Sequence, residues 1–235
     1  MNEIIDSGGW VLPAIFGVYF LAQKLQERTR ILLLNPILVT IVILILLLQM
    51  LSVDYKVFKE NSTLIEVLLA PAIVALGYPL YQQLGKIRKQ LVPVVISQAT
   101  GCIVGIISVV FIAKFLGASS KVIYSLAAKS VTTPIAIEVT RTLGGIPSLT
   151  ASVTITVGIF GAMVGYVSMH WLHVRSPLAQ GVAMGTAAHA VGTAKSMEIS
   201  PGYGAMSSLG LILNGLFTAI LAPYVLEVIN LFWII

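Results

Sequence analysis

Long apolar runs follow one another along most of the chain. A helix that crosses a membrane needs about 20 predominantly apolar residues, and the runs reach or approach that length. The longer ones contain no Asp, Glu, Lys or Arg. The runs are residues 10–22, 32–53, 63–81, 90–113, 142–172 and 199–226. This pattern predicts a polytopic membrane protein built from helices.

Two further stretches are apolar but interrupted. Residues 120–141 contain Pro134, which removes a backbone donor and clashes with the preceding turn of a helix. Residues 178–198 contain several glycines, which weaken a helix and permit unusual backbone angles. Broken backbone at membrane depth survives only inside protein or beside a water-filled cavity, so we expect the functional cavity here. The expected fold class is all-α, with about seven or eight membrane segments, two of them broken or re-entrant.

The composition excludes most soluble classes. Of 235 residues, 57% are hydrophobic and 10% are charged, whereas an average soluble domain has roughly 25% charged residues. The formal net charge is +5, but the basic residues are scattered among short loops, so no nucleic-acid partner is expected. Cys102 is the only cysteine, which excludes a disulfide framework and makes a zinc site improbable. We expect no metal, no cofactor and, because no nucleophile–base set is present, no enzyme activity.

The distribution of basic residues predicts an orientation. Residues 24–30 and 86–89 are loops rich in Lys and Arg, and such loops stay in the cytoplasm. The N-terminus is then expected outside. Acidic Glu3 and Asp6 occupy the place of a basic n-region, so no signal peptide is expected. We treat residues 1–235 as one membrane domain, with N-terminal helices in 1–118 and a repeat-containing substrate region in 119–235.

The two interrupted stretches resemble each other at an offset of 60 residues. AAKSVTTPIAIEVT (127–140) and AAHAVGTAKSMEIS (187–200) share five identities in fourteen positions. Many secondary transporters are built from two repeats, and substrate binds near the midplane where their broken helices meet. If each broken segment is a re-entrant hairpin, the single span between them inverts the second copy. If each crosses fully, the copies are parallel.

The polar residues of these stretches suggest a site for a small anion. Lys129 and Lys195 supply positive charge, and free backbone N–H groups at each break add donors. His189 lies in the same region and either lines the site, where it is also able to carry a coupling proton, or is a hydrogen-bonded structural histidine. The hydroxyl donors of the expected substrate-binding set are Ser130, Thr132, Thr133 and Thr193.

Other polar and small residues carry two interpretations each. Glu138 with Arg141, and Glu198 with Lys195, form either local ion pairs at a spacing of three or buried groups in which a glutamate carries a coupling proton. Asn214 lies in an apolar run and is either a link between helices or a lining group. Small-residue spacings at residues 101–105 and 158–165 indicate close helix packing.

The sequence resembles the LrgB/CidB family of bacterial membrane proteins over essentially its whole length. The resemblance lies in KSVTTPIAIEVTRTLGGIPSLTA (129–151), GTAAHAVGTAKSMEI (185–199) and LAPAIVALGYPLYQQ (69–83). It implies a multi-pass protein of the bacterial cytoplasmic (inner) membrane. The family was named for holin- and antiholin-like control of murein hydrolase export and autolysis. Related pairs with an LrgA-like protein are associated with pyruvate uptake, and a plastid fusion exports glycolate and glycerate.

Two functions follow as expectations. The first is secondary transport of a small 2-oxo or 2-hydroxy monocarboxylate, with proton coupling as an option, together with a small LrgA-like membrane partner. The second is an antiholin-like regulator without its own transport cycle. A homo-oligomer in the lipid bilayer is expected in either case. Charged residues beside broken helices favour the transporter, because charge inside a membrane is expensive and marks ion or substrate pathways.

Overall fold

The computed structural model describes residues 9–29, 31, 34–75, 77–82, 84–89 and 91–232. All regular secondary structure in these ranges is helical. The chain forms two compact units, Met1–Ala75 and Leu76–Ile235. The helix of the 90–113 run, expected among the N-terminal helices, therefore belongs to the second unit.

The described residues of the first unit form four helices. These are α1 (Val11–Thr29), α2 (Pro36–Met50), α3 (Tyr55–Asn61) and α4 (Thr63–Ala75). Asn35 caps α2, since its side-chain oxygen accepts hydrogen bonds from the N–H groups of Ile37 and Leu38. Pro36 follows in the first turn, where its missing N–H costs nothing. The apolar run 32–53 thus becomes α2, a helix of 15 residues that packs against α1.

The second unit contains the remaining helices of the described chain. These are α5 (Gly77–Gln82), α6 (Leu84–Lys89), α7 (Leu91–Phe115), α8 (Ser120–Ala127), α9 (Thr133–Leu143), α10 (Pro147–Trp171), α11 (Pro177–Ile199) and α12 (Pro201–Phe232). The run 63–81 is divided between α4 and α5. Three of the described helices, α7, α10 and α12, are long and apolar enough to cross a membrane.

The directions of the three long helices follow from their contacts. Val94, near the start of α7, packs in one cluster with Ala205 near the start of α12. Further along, the Cys102 thiol lies 3.3 Å from the Thr218 hydroxyl, so α7 and α12 run in the same direction. α10 connects opposite ends of the unit, because it leaves α9 beside the C-terminal half of α12 and reaches α11 beside the N-terminal half.

The first interrupted stretch forms two helices, α8 and α9, with the break at residues 128–132. α8 is antiparallel to α12, since Tyr124 accepts a hydrogen bond from Asn230 and the Ser130 carbonyl accepts one from Asn214. α9 then returns toward the C-terminal end of α12, where Thr142 borders a cavity with Asn230. The two helices therefore form a hairpin whose tip lies beside the middle of α12. Pro134 falls in the first turn of α9, a position where proline is favoured.

The second interrupted stretch, α11, reverses direction at His189. This residue has φ 40° and ψ −132°, outside the helical region. A Cβ atom placed on Gly192 would lie 2.7 Å from the Met184 carbonyl oxygen, although residues eight apart in a straight helix are about 12 Å apart along the axis. The first half of α11 is parallel to α12. The second half is antiparallel to α12, with Thr193 beside Ser207 and Met197 beside Gly204. α11 is thus a hairpin that begins and ends beside the N-terminal end of α12.

The glycines of α10 admit this second hairpin. Cβ atoms placed on Gly158 and Gly161 would lie 2.5 Å from the His189 ring and the Ala188 side chain. Gly165 meets Met184 in the same way. The close helix packing expected for residues 158–165 is therefore confirmed.

Candidate functional site

A small inner cavity of about 160 Å³ lies where the first hairpin meets the first half of α11. Lys129 stands at the tip of that hairpin, half-buried, and its Nζ donates a hydrogen bond to Ser130 Oγ at 2.9 Å. An ammonium group has three N–H donors, so further donors are available to an anion. The cavity is lined by Gly101, Cys102, Gly105, Ile106, Ala127, Lys129, Ser130, Thr186, Ala187 and Thr218.

A larger open groove of about 480 Å³ leads toward this cavity between α7 and α11. It begins at Pro93 and Leu178, close to the first residues of both helices. Gly101, Thr186 and Ala187 border both the groove and the inner cavity. Cys102 lies eleven residues after the start of α7, or about 16 Å along the helix, which is about half of its length.

Asn214 of α12 joins the two hairpins. It is 2% exposed, and its Nδ2 donates to the Ser130 carbonyl at 2.9 Å and to the Thr186 carbonyl at 3.0 Å. Both carbonyl groups lie at or just before a helix break, where carbonyl oxygens lack the backbone N–H donors that a continuous helix would supply. Of its two sequence interpretations, the structure shows the link between helices.

His189 and Thr193 are buried away from both cavities. His189 Nε2 lies 2.9 Å from the Thr154 carbonyl oxygen, which identifies that nitrogen as the donor. The Thr193 hydroxyl donates to the His189 carbonyl and lies 2.9 Å from Ser207 Oγ. These contacts hold the reversed backbone at the second tip, as in the structural-histidine interpretation.

The two predicted ion pairs are present. Arg141 meets Glu138, and Lys195 meets Glu198, each at 2.6 Å. The two glutamate side chains are 68% and 65% exposed, so the burial that the proton-carrier interpretation required is not found. Lys195 is thereby directed to its glutamate and does not line the cavity that contains Lys129.

The structure thus brings together only part of the predicted set. Lys129 and Ser130 share the inner cavity, whereas Thr132 and Thr133 are half-buried at the start of α9 and line neither cavity. The packing interpretation of residues 101–105 was wrong. Gly101 and Gly105 line the inner cavity, and a Cβ atom on Gly105 would meet nothing within 4 Å.

Sequence reasoning missed the contribution of α7 and of Thr186. Gln98 is 2% exposed and donates from Nε2 to the Thr186 hydroxyl. Cys102 and Thr218 also line the inner cavity, with their side chains in contact. A buried glutamine inside an apolar run was the available signal, because polar groups at membrane depth face the protein interior.

Comparisons with a family model and with curated proteins point to the same family. The model of the LrgB-like family matches residues 16–228. "Holin-like protein CidB" of Staphylococcus epidermidis is 34% identical over 223 residues, which cover 95% of this chain and 97% of that protein. "Uncharacterized protein YwbG" of Bacillus subtilis is 35% identical over 210 residues, covering 89% and 93%.

A third relative, from Haemophilus influenzae, is 34% identical over 218 residues, covering 93% of this chain and 94% of that protein. No solved structure matches. The motifs that suggested the resemblance at residues 129–151 and 185–199 fall inside the matched region. The chain therefore belongs to the LrgB-like family of membrane proteins.

Proposed function

We propose that this protein is a secondary transporter of small monocarboxylates in the bacterial cytoplasmic membrane. The observation that carries the proposal is the position of Lys129, a cation at a helix break beside a cavity inside the second unit. An ammonium group there suits a carboxylate, with Ser130 as a neighbouring hydroxyl. The groove from Pro93 and Leu178 supplies a route from one end of the unit.

The arrangement of the hairpins supports a transport cycle. α7 is followed by the α8–α9 hairpin, and the oppositely directed α10 is followed by the α11 hairpin. Each hairpin returns to the end where its preceding long helix stopped, so both are re-entrant in this proposal. The 60-residue offset pairs Lys129 with His189 at the two tips. In this proposal, α7 with the first hairpin and α10 with the second hairpin form an inverted repeat. In transporters with that architecture, substrate binds between broken helices.

Lys195 makes no substrate contact, because it is paired with Glu198 away from the cavity. A small LrgA-like membrane partner remains part of the proposal through the family. The orientation rule places the basic 84–89 segment, and with it the open end of the groove, on the cytoplasmic side.

A second function is favoured by a different observation. Curated relatives at 31–34% identity carry the name "Holin-like protein CidB". An antiholin-like regulator of murein hydrolase export would use the same membrane helices for partner binding. It would not require a cation at the end of a groove.

Uptake into proteoliposomes separates the two functions. Labelled pyruvate, lactate and glycolate are offered with and without an LrgA-like partner and a pH gradient. We expect saturable uptake that Lys129→Ala reduces by at least tenfold, since the carboxylate loses its charge-assisted hydrogen bond. Lys121→Ala, which removes an exposed lysine of α8, is the matched control and retains uptake. Absence of uptake in folded protein with the partner present favours the regulator.

The single cysteine provides a direct measurement of occupancy. Cys102 lines the same cavity as Lys129, so a bound carboxylate should slow its modification by a small methanethiosulfonate reagent. Lys129→Ala should abolish this protection without preventing modification. Protection that survives in Lys129→Ala would place the anion elsewhere.

A further inference from the structure

The amide of Gln98 has a fixed orientation. The Thr186 hydroxyl donates its proton to the Val182 carbonyl at 2.7 Å, so toward Gln98 it is able only to accept. Gln98 must therefore present its NH₂ group, as observed. This leaves Gln98 Oε1 as a buried acceptor without a hydrogen-bond partner in the described chain.

The residue that carries this unpartnered acceptor lines the groove. Gln98 borders the groove, and Thr186, to which it donates, borders both spaces. On α7, Gln98 precedes the cavity-lining Cys102 by four residues, which is about 6 Å along the helix. A ligand that reaches Lys129 through the groove passes Gln98.

The chemistry of the two ends differs. Lys129 and Ser130 donate and suit the carboxylate of a ligand, whereas Gln98 Oε1 requires a donor. A 2-oxo acid carries acceptors only and leaves that oxygen unpaired. A 2-hydroxy acid of the same carbon skeleton carries an O–H group that satisfies it. Sites built to hydrogen-bond a hydroxyl discriminate strongly against analogues that lack it.

We propose that Gln98 is a specificity-determining residue that selects 2-hydroxy monocarboxylates over the matching 2-oxo acids. This inference rests on the proposed function of the Lys129 cavity. Thr186 acts as a positioning residue, since its hydroxyl holds the amide with the acceptor side free.

Lactate and pyruvate test the inference because they differ only at carbon 2. Uptake and protection of Cys102 are measured for both acids with the full-length protein in proteoliposomes. We expect the wild-type protein to prefer lactate by about tenfold. Gln98→Met, which retains length and removes the acceptor, should bring the ratio close to one. Gln180→Met is the control, because its amide donates to the Val174 carbonyl and borders neither cavity.

The outcomes are distinguishable from those of the proposed function. Binding of both acids without preference, or a preference that survives in Gln98→Met, overturns the role of Gln98 while transport stands. Failure of both acids to bind removes the proposed function and this inference together. If Gln98→Met does not fold, the wild-type lactate-to-pyruvate and glycolate-to-glyoxylate ratios decide, and a preference for the 2-oxo member of either pair overturns the inference.

Discussion

Burial decides what each polar residue of the second unit does. Asn214 is buried and donates to two carbonyl groups from two hairpins, whereas Glu138 and Glu198 are exposed partners of neighbouring cations. Exposed ion pairs of this kind contribute little to stability. A buried amide whose loss leaves two carbonyls unpaired contributes much more.

Asn214→Leu should lower the free energy of unfolding by about 2–4 kcal/mol, since two buried carbonyl groups lose their donor. Asn214→Asp should be worse than Asn214→Leu, because its carboxylate faces the same two carbonyl oxygens. Thermal unfolding in detergent measures both. Asn230→Leu, which removes a single half-buried hydrogen bond to Tyr124, is the control with the smaller loss. An Asn214→Leu variant as stable as the Asn230→Leu variant would refute the linking role.

At the scale of elements, the second hairpin depends on the absence of side chains on its neighbours. His189 adopts a backbone conformation that costs about 1–3 kcal/mol and persists only where surrounding structure enforces it. Gly158 and Gly161 of α10 provide that enclosure by admitting the His189 ring and Ala188. α10 and the hairpin therefore form one packed element.

Gly161→Ala should destabilise the protein by about 1–3 kcal/mol, because the added methyl overlaps Ala188 in a tightly packed interface. Gly105→Ala is the matched comparison, since a Cβ atom there meets nothing within 4 Å and alanine favours helix. Its thermal stability should equal or exceed that of the wild-type protein. Equal stability of Gly161→Ala and Gly105→Ala would contradict the packing described.

At the scale of the molecule, the described part of the second unit contains two hairpins that approach α12 from opposite ends. Asn214, near the middle of α12, binds both hairpins. The inner cavity with Lys129 lies at the same level, beside Thr218 of α12. Residues of both hairpins, Lys129 and Ser130 of the first and Thr186 and Ala187 of the second, line this cavity.

Cysteine labelling tests this arrangement. In a Cys102→Ser background, Ser119→Cys and Thr142→Cys mark the two ends of the first hairpin, and Ser176→Cys and Ile199→Cys mark those of the second; all four positions are exposed. A membrane-impermeant thiol reagent should label the first pair from one side of oriented vesicles and the second pair from the other side. Labelling of Ser119→Cys and Thr142→Cys from opposite sides would show that α8 and α9 cross fully.

The sequence alone determined where the elements lie. Uncharged apolar runs predicted the positions of α2, α7, α10 and α12. A helix that crosses a membrane must be apolar over a length close to the thickness of the hydrocarbon layer. Pro134 and the glycines of 181–192 located both interruptions, because they act on the backbone locally. The family resemblance rested on the same two stretches and on residues 69–83. The spacing of three allowed both ion pairs as one of two interpretations, and the structure shows the pairs.

The tertiary structure decided which polar residues meet. The sequence predicted Lys129 and Lys195 equally as substrate-binding residues. In the structure, Lys195 pairs with Glu198 and Lys129 lines a cavity. Gln98, Thr186 and Thr218 belong to three different helices, and no local pattern indicates that their side chains converge. Chain reversal at His189 depends on glycines of α10 about 30 residues earlier. Whether a segment is helical depends mainly on its own backbone preferences and on the solvent around it. The site depends on long-range packing between segments, which no single segment encodes.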